Sequence, residues 1–542
     1  MRLRRLWLEN FYNLENVELF FNSADQFYGS NSIRFFIGLN GSGKSSALEA
    51  LGLIFSHLSA DAPPGMGFDL EYELRGQIVR ITTRHSEGVA PVPPIDAAVF
   101  VRGLGEPEWR AEHARQHWAS SGELLPRRVV GYASGPTSGL QWALFGSTQQ
   151  LVKNTLGEFE QEARPEGLTD EEWQKNREAH RDDLRRRIEA YLDNPNAHFL
   201  GAEEGVCAIL SLMVHGGAAA TDPPSYRVQR ARLLDRLDLD KEEPLPAFTL
   251  RISGSWYERV TPSSRRDRLR GLLRLATVRM PLDQSESSET GEPLPPDFYA
   301  VFDIDDALSQ DIEAIMGSPL AFFEELLAWR RQGALQELRL VIRKKFVRGL
   351  LPLTALSDGE YFLLGRYSLL MMMREIADGL ILFDEPETHF NDHWKVDLVK
   401  DICELLGSGA TGDSTSGHEV VIATHSDLTL TDADPRQVYL FTEHCVAGHD
   451  GMPRRAVLVS PPTISPFAAS RTEIAQAIFR TGSSIGNYAH QRVEQALRGE
   501  SAKELAEMIQ TAGPGFHRFR LISKLTQLDS PAPEGETNVT SD

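Results

Sequence analysis

A glycine-rich stretch near the N-terminus has residue types and spacing suited to binding phosphate groups. It begins at Gly38, after the apolar run Ser32 to Ile37, and it leads into a segment of strong helix formers. Glycines allow consecutive N–H groups to turn into one concavity, and the start of the helix adds partial positive charge. In this P-loop pattern Lys44 reaches the β and γ phosphates and the Ser45 hydroxyl holds Mg²⁺. The stretch therefore predicts ATP or GTP with Mg²⁺. The predicted phosphate-binding residues are Gly38, Asn40, Gly41, Ser42, Gly43, Lys44, Ser45 and Ser46.

Two adjacent carboxylates follow a buried-strand pattern far along the chain. The apolar run Leu380 to Phe383 ends at Asp384 and Glu385. Parallel strands present their carboxyl ends at one edge of a sheet, so both acids are expected beside the P-loop. We predict that Asp384 joins the Mg²⁺ ligands and that Glu385 orients and polarises the attacking water. A strand that ends in solvated acids would look the same, but the P-loop in the same chain favours the functional interpretation.

Two further motifs allow both a structural and a functional interpretation. His425 closes the next predicted strand, where it could contact the γ phosphate or be an ordinary surface residue. Ser357 and Glu360 have the spacing of a helix capping box. A serine and free N–H groups at a helix start would also bind a phosphate presented by another protomer. For Ser357 the residues alone leave both roles open.

Composition limits the class of protein. A chain of 542 residues exceeds what one hydrophobic core usually supports. With 56 basic against 77 acidic residues the formal charge is −21, which weakens a nucleic-acid-binding role unless basic residues gather in a groove. The three widely spaced cysteines predict neither a zinc site nor a disulfide framework. No signal peptide or membrane span is expected, and a cytoplasmic location fits best.

Periodicity divides the chain into five predicted segments around an α/β core. The predicted fold class is a P-loop head with an antiparallel N-terminal lobe, a helical insertion and a C-terminal helical segment. The acidic, proline-rich residues 281–297 are predicted to form a flexible loop. The segments are 1–104 (first half of the head, with the P-loop), 105–350 (mainly helical insertion), 351–465 (second half of the head), 466–528 (helical, docking a partner) and 529–542 (disordered tail).

Taken in order, these motifs resemble the ABC-type ATPases of the SMC/RecF/OLD group. The resemblance is carried by the P-loop, Leu356 to Glu360, the strand ending at Asp384 and Glu385, and Thr424 to Ser426. It implies ATP and Mg²⁺ as cofactors, with Lys44, Glu385 and His425 acting in ATP hydrolysis. It also implies a head-to-head dimer in which Ser357 and Gly359 complete the ATP site of the opposite protomer.

Two further positions in that group's pattern concern a phosphate contact and a Mg²⁺ ligand. Tyr12 stands where the group commonly has an arginine that contacts phosphate. A glutamine after the P-loop helix commonly joins the Mg²⁺ shell, and both Gln77 and Gln141 are candidates.

Within the group, two short motifs look most like restriction-associated and Septu-type (PtuA) anti-phage ATPase subunits. They are Asp384 to Asn391 and Gly131 to Gly135. This resemblance implies a homodimer, or a higher oligomer of dimers, that controls a separate HNH nuclease subunit. DNA, or the RNA–DNA hybrid and reverse transcriptase of a retron, are further partners that it leaves open.

The sequence also allows two alternative functions. A RecF-like DNA-repair clamp would use basic stretches at 265–270 and 343–348 to bind backbone phosphates, although both could be solvated helix faces. An OLD-type ATPase-nuclease would need metal-binding carboxylates after the ATPase motifs. The pair Asp432 and Asp434 is better explained as a turn, and the acids at 303–306 as a helix N-cap.

Overall fold

The structure is a computed structural model that describes most of the 542 residues. The described residues are 1–22, 26–59, 64–84, 97–111, 124–134, 139–146, 196–215, 224–282, 295–407, 417–447, 453–480, 485–499 and 501–529. Most of the loop predicted at 281–297, and all but the first residue of the tail predicted at 529–542, lie outside these ranges.

The described chain contains both strands and helices. The strands are β1 Arg2–Phe11, β2 Leu14–Phe20, β3 Ser32–Gly38, β4 Phe68–Leu74, β5 Gln77–Thr82, β6 Ala98–Gly103, β7 Arg110–Ala111, β8 Val129–Ala133, β9 Ala197–Phe199, β10 Ala247–Ile252, β11 Val278–Pro281, β12 Phe298–Asp303, β13 Leu335–Ile342, β14 Leu351–Pro352, β15 Leu380–Asp384, β16 Glu419–Thr424, β17 Val438–Ala447 and β18 Pro453–Ser460. The helices are α1 Lys44–Ser59, α2 Gly139–Gln141, α3 Ala202–His215, α4 Pro224–Arg236, α5 Trp256–Arg259, α6 Ser263–Arg274, α7 Asp306–Met316, α8 Pro319–Arg331, α9 Asp358–Met373, α10 Asp392–Leu406, α11 Asp427–Leu430, α12 Arg471–Ala477, α13 Asn487–Arg498, α14 Ala502–Thr511 and α15 Phe516–Asp529.

The central sheet gathers strands from distant parts of the chain. Its order is β18-β17-β3-β16-β15-β8-β9, and all neighbours are parallel except β17 and β18. Strands β3 and β16 are buried along their whole length, as expected for parallel strands covered on both faces. The register pairs Asp384 with Ala423 and Thr424 with Ile37. The carboxyl ends of β3, β15 and β16 therefore meet at one edge.

A second, antiparallel sheet covers the P-loop helix from the other side. Its order is β2-β1-β4-β5-β6-β7. One apolar cluster joins side chains of this sheet, such as Leu6 and Tyr72, through Phe55 of α1 to Leu382 and Val421 of the central sheet. Because α1 lies between two sheets, it is buried on most of its surface. The α/β core with an antiparallel N-terminal lobe is thus confirmed.

Two features of the described part of 105–350 differ from the predicted mainly helical insertion. Strands β8 and β9 lie within that range yet belong to the central sheet, and β10 to β13 form a five-stranded antiparallel sheet with β14. The burial of β10 alternates because Phe248, Leu250 and Ile252 face the core at every second position. This is a strand period, and helices α6, α7 and α8 lie in the same part of the chain.

The chain divides into two compact units at Ala468. The second unit begins at Ala469 and contains α12 to α15. Its small apolar cluster is formed by Val493, Ala496, Leu505 and Leu521. In the part of the chain that the structure describes, no helix combines the length and apolar character needed to cross a membrane.

Candidate nucleotide-binding site

The P-loop connects β3 to α1 in a conformation that depends on its glycines. Gly38 has φ +150° and Gly43 has φ +99°, values that residues with a Cβ rarely adopt. A Cβ on Gly38 would lie 2.4 Å from the Phe441 carbonyl oxygen, and one on Gly43 would lie 2.6 Å from Leu14 Cδ2. The loop therefore has neither the dihedral freedom nor the space for larger residues at these positions.

The side chain of Lys44 is held inside the P-loop. Its side chain is buried, and Nζ donates to the carbonyl oxygens of Gly38 and Leu39, each at 3.0 Å. Burial lowers the pKa of the ammonium, which the nearby carboxylates of Glu385 and Asp384 partly oppose. The cation is thus positioned at the concavity where a phosphate group would lie.

The two predicted Mg²⁺ ligands meet although 339 residues separate them. The Ser45 hydroxyl donates to Asp384 Oδ1 at 3.0 Å. Burial raises the pKa of Asp384 to about 6, while the bond from Ser45 acts in the opposite direction. A hydroxyl and a carboxylate are hard oxygen donors of the kind that Mg²⁺ prefers, with phosphate oxygens and waters completing its shell. Among the described residues no cluster of three or more His, Cys, Asp or Glu side chains could hold a metal ion unaided.

Glu385 and His425 form the second predicted pair. His425 Nδ1 lies 2.8 Å from Glu385 Oε1. This hydrogen bond lowers the pKa of Glu385 and raises the pKa of His425. Glu385 also has φ +50°, a left-handed backbone conformation that an L residue adopts at a cost. The carboxylate stays ionised at neutral pH, as a general base requires.

Ser357 caps α9, as the spacing predicted. Its Oγ accepts from the Glu360 N–H at 3.4 Å, and Glu360 Oε2 accepts from the Ser357 N–H at 2.9 Å. Lys344 fixes the same carboxylate through a 2.6 Å contact to Oε1. The Ser357 side chain is nevertheless exposed. The capping role is therefore present, and the cross-dimer role remains a prediction.

Gly359 is buried immediately after the cap. A Cβ there would lie 2.6 Å from the carbonyl oxygen of His389, in the loop that follows β15. The start of α9 thus packs directly on the segment that carries Glu385.

The structure separates the two candidate glutamines. Gln141 lies in α2, which packs on α1, and a Cβ on Gly139 would lie 2.2 Å from Glu49 Cδ of that helix. Gln77 begins β5, next to the turn in which Arg75 Nε contacts Asp378 Oδ2 at 3.3 Å. Asp378 precedes β15, so Gln77 lies near the amino end of that strand. The candidate ligands Ser45 and Asp384 are at the carboxyl end, so Gln77 lies away from them, and a Mg²⁺ contact of Gln141 remains a prediction.

The sequence analysis did not identify Asn13, whose side chain is hydrogen-bonded to the P-loop and to the start of α1. Asn13, in the turn between β1 and β2, donates to the Gly41 carbonyl oxygen at 2.8 Å and accepts from the Ser46 hydroxyl at 3.1 Å. Its neighbour Tyr12 is exposed, with φ +52°. An asparagine in a tight turn was visible in the sequence, but its contact with a loop 28 residues away was not.

The acidic motifs considered for a nuclease have structural roles. The Asp434 carboxylate accepts from the Arg436 N–H at 3.0 Å at the start of a short 3₁₀ turn. Asp305 caps α7 by accepting from the Leu308 N–H at 2.7 Å. Both motifs therefore match the turn and cap interpretations.

The basic stretches considered for a DNA clamp are largely neutralised within the chain. Arg265 and Arg268 pair with the buried Glu325 at 3.1 and 2.5 Å. Arg343 pairs with Glu243 at 2.8 Å, and Lys344 pairs with Glu360. These contacts reduce the positive charge available to nucleic-acid phosphates.

No protein-family model matches this chain, and no curated protein matches it significantly. Solved structures to which it is similar include the SMC head domain from Thermotoga maritima, at 13% identity, with 86% of this chain and 100% of that chain covered and a TM-score of 0.30. Another is the Smc head domain of Pyrococcus furiosus bound to the C-terminal domain of ScpA, at 12% identity, with 85% and 96% covered and a TM-score of 0.28. A third is the Smc head domain with a coiled coil and joint from Pyrococcus yayanosii, at 13% identity, with 88% and 99% covered and a TM-score of 0.30.

Proposed function

We propose that this chain binds and hydrolyses ATP as the regulatory subunit of a prokaryotic anti-phage defence complex. The observation that carries the ATPase proposal is the meeting of two pairs at the mouth of the P-loop. Ser45 contacts Asp384, and Glu385 contacts His425. A phosphate cradle, two oxygen ligands and an ionised base at one sheet edge are the parts that phosphoryl transfer to water requires.

Each residue has a defined task in this proposal. The P-loop N–H groups and Lys44 hold the β and γ phosphates, and Ser45 and Asp384 hold Mg²⁺, which neutralises phosphate charge. Glu385 accepts a proton from the attacking water. The oxygen of that water bonds to the terminal phosphorus as the bond to the bridging oxygen of ADP breaks. His425 orients Glu385 through its hydrogen bond and donates to an oxygen of the γ phosphate, while ADP is the leaving group.

The proposed assembly is a dimer around ATP, or a higher oligomer of dimers. Ser357 is exposed at the start of α9, where a serine hydroxyl and helix N–H groups can meet a phosphate of another protomer. The capping box does not oppose this role, because the Ser357 hydroxyl can exchange its local bond for one to phosphate.

The defence role and the nuclease partner are supported by the resemblance of short motifs. The stretch from Asp384 to Asn391 and the stretch around Gly131 are similar to those of Septu-type subunits, which operate with a separate HNH nuclease. We propose that ATP state in this chain controls such a nuclease.

The first test compares Glu385→Gln and Lys44→Ala with the wild-type protein. Glu385→Gln should bind ATP normally, lower kcat by roughly a hundredfold and accumulate a dimer in ATP, because only the base is lost. Lys44→Ala should weaken ATP binding by roughly tenfold or more and give no dimer. Phosphate release and light scattering after gel filtration measure both effects. Wild-type turnover by Glu385→Gln would contradict the assignment of the base.

A further inference from the structure

Arg366, in the third turn of α9, is a buried arginine that forms no ion pair with any described carboxylate. Only 3% of the residue is exposed. A buried guanidinium is costly unless hydrogen bonds or aromatic faces replace its water. Its contacts therefore indicate what the arginine does.

Arg366 holds both ends of the loop that follows β15. Its Nη1 donates to the carbonyl oxygen of Pro386, the residue directly after Glu385. Its guanidinium carbon lies 4.3 Å from the ring centroid of Phe390 and 4.4 Å from that of Tyr132 on β8. The cation thus lies over two aromatic rings, and it contacts Pro386 and Phe390 at the two ends of 386–390.

Other contacts join the same loop to the start of α9. The ring of Phe362 stacks on His389, with centroids 5.2 Å apart and an interplanar angle of 22°. The His389 carbonyl oxygen lies so close to Gly359 that a Cβ on this residue would not fit. His389 has φ +71°, so the loop contains two residues in the left-handed conformation, Glu385 and His389. Two left-handed residues persist in one loop only when surrounding contacts hold them there.

We propose that Arg366 is a positioning residue that fixes loop 385–390 to α9. The proposal rests on the proposed ATPase function and extends it. The helix that begins at Ser357 then also sets the backbone of Glu385, which carries the base. A displacement at the Ser357 end of α9 would therefore shift the Glu385 carboxylate of the same protomer, through the contacts of Arg366 and Phe362 with the loop.

The test replaces Arg366 and, as a matched control, Arg236. Arg236 donates to the hydroxyl of Tyr367, the next residue of α9, at 3.1 Å and pairs with Asp401 of α10 at 2.5 Å, outside the loop. Arg366→Met should lower kcat at least about tenfold, with the KM for ATP within about threefold of wild type, because a displaced base slows chemistry without altering the P-loop. Arg366→Lys keeps one donor for Pro386 but not the flat stacking surface, so its kcat should be intermediate. Arg236→Met should leave kcat within about twofold.

Hydrogen exchange of the amides at 385–391 is the second measurement, because it does not depend on turnover. Both Arg366 variants should exchange faster there than the wild type, and Arg236→Met should not. Wild-type kcat and exchange in Arg366→Met would overturn the proposal. So would equal losses of kcat and Tm in Arg366→Met and Arg236→Met, since the arginine would then only stabilise α9. If Arg366→Met does not fold, Arg366→Lys gives the decision. A wild-type protein that hydrolyses no ATP would contradict the proposed function, and the exchange measurement would still decide the role of Arg366.

Discussion

His425 has the largest influence on the charge of Glu385. The hydrogen bond between them keeps the pKa of the Glu385 carboxyl below its ordinary value. The adjacent Asp384 is more buried, and its pKa is raised to about 6. Two neighbouring carboxyls of one strand end therefore differ in proton affinity because their environments differ. The more exposed carboxylate suits proton acceptance, and the buried one gains most from a bound cation.

A buried histidine at the start of β16 gives the protein a pH-dependent stability. His418 accepts from the Gly379 N–H through Nδ1 at 3.2 Å, and burial lowers its pKa from 6.5 to about 4. Between these values the unfolded chain binds a proton that the folded chain does not. Stability is therefore lost as pH falls from about 6.5 towards 4, by up to roughly 3 kcal/mol.

Replacing His418 by Gln should remove this part of the pH dependence. Urea unfolding of wild type and His418→Gln at pH 7 and pH 4.5 measures it, because contributions from other groups cancel in the comparison. The exposed His393, replaced in the same way, is the matched control. An unchanged difference between the two pH values in His418→Gln would contradict the prediction.

At the scale of elements, α9 combines three tasks along one helix. Its first residues form a capping box, its first turn packs on the loop after β15, and Arg366 holds that loop further along. The helix is buried almost all round, so its apolar residues show no amphipathic stripe. A helix packed on all sides transmits displacement, because closely packed interiors deform little.

Ser357→Asp should separate the capping role from the proposed role in the dimer. Aspartate is as good an N-cap as serine, so the free energy of unfolding should change by less than about 0.5 kcal/mol, whereas Ser357→Ala should cost about 1 kcal/mol. The added negative charge should repel the phosphate of the other protomer and weaken ATP-induced dimerisation roughly tenfold or more. Gel filtration of both variants in the Glu385→Gln background measures this. Dimerisation of Ser357→Asp at the parent's ATP concentration would contradict the cross-dimer role.

Strand β10 of the five-stranded antiparallel sheet is predictable from local pattern. Alternation at Phe248, Leu250 and Ile252 is a strand pattern that the sequence displays. Strand β8 is harder to predict, because Val129 to Ala133 are all buried and such a short run fits a strand or a buried helix equally. Its place beside β15 depends on the whole sheet.

At the scale of the whole molecule, the unit that begins at Ala469 differs from the rest in charge. Residues 469–542 contain eight basic and nine acidic side chains, so this unit is nearly neutral in a chain whose formal charge is −21. Within this unit a groove of about 570 Å³ is lined by Tyr488, Met508, Phe516 and other residues, with Arg492 and His517 and no acid. An apolar groove with the cation of Arg492 in its lining fits an amphipathic acidic segment, and we propose that the partner subunit supplies one.

Removing 469–542 should abolish co-purification with an HNH nuclease encoded beside this chain and co-expressed with it, while ATP hydrolysis persists. The sharper variant is Phe516→Asp, because Phe516 is 70% exposed and lines the groove. It should weaken binding at least about tenfold, since a charge then faces the partner's acids. Phe519→Asp is the matched control, as Phe519 is 66% exposed on the same helix and lies outside the groove. Retention of the nuclease by Phe516→Asp would contradict docking in this groove.

Local sequence pattern is enough to predict the parts of the fold whose structure depends on adjacent residues. These are the P-loop, the buried helix α9 with its capping box, and the strands that end at Asp384 and Thr424. Each can be predicted from the spacing of nearby residues, because glycine dihedrals, helix caps and apolar runs act over a few residues.

Which of these parts meet depends on packing across the whole fold. The fold places Ser45 against Asp384, Glu385 against His425, and Arg366 against the rings of Tyr132 and Phe390. These contacts join segments of different elements, and packing, not local periodicity, sets their distances. The P-loop is therefore readable from the sequence, whereas the site around it depends on how the sheet brings distant strand ends to one edge.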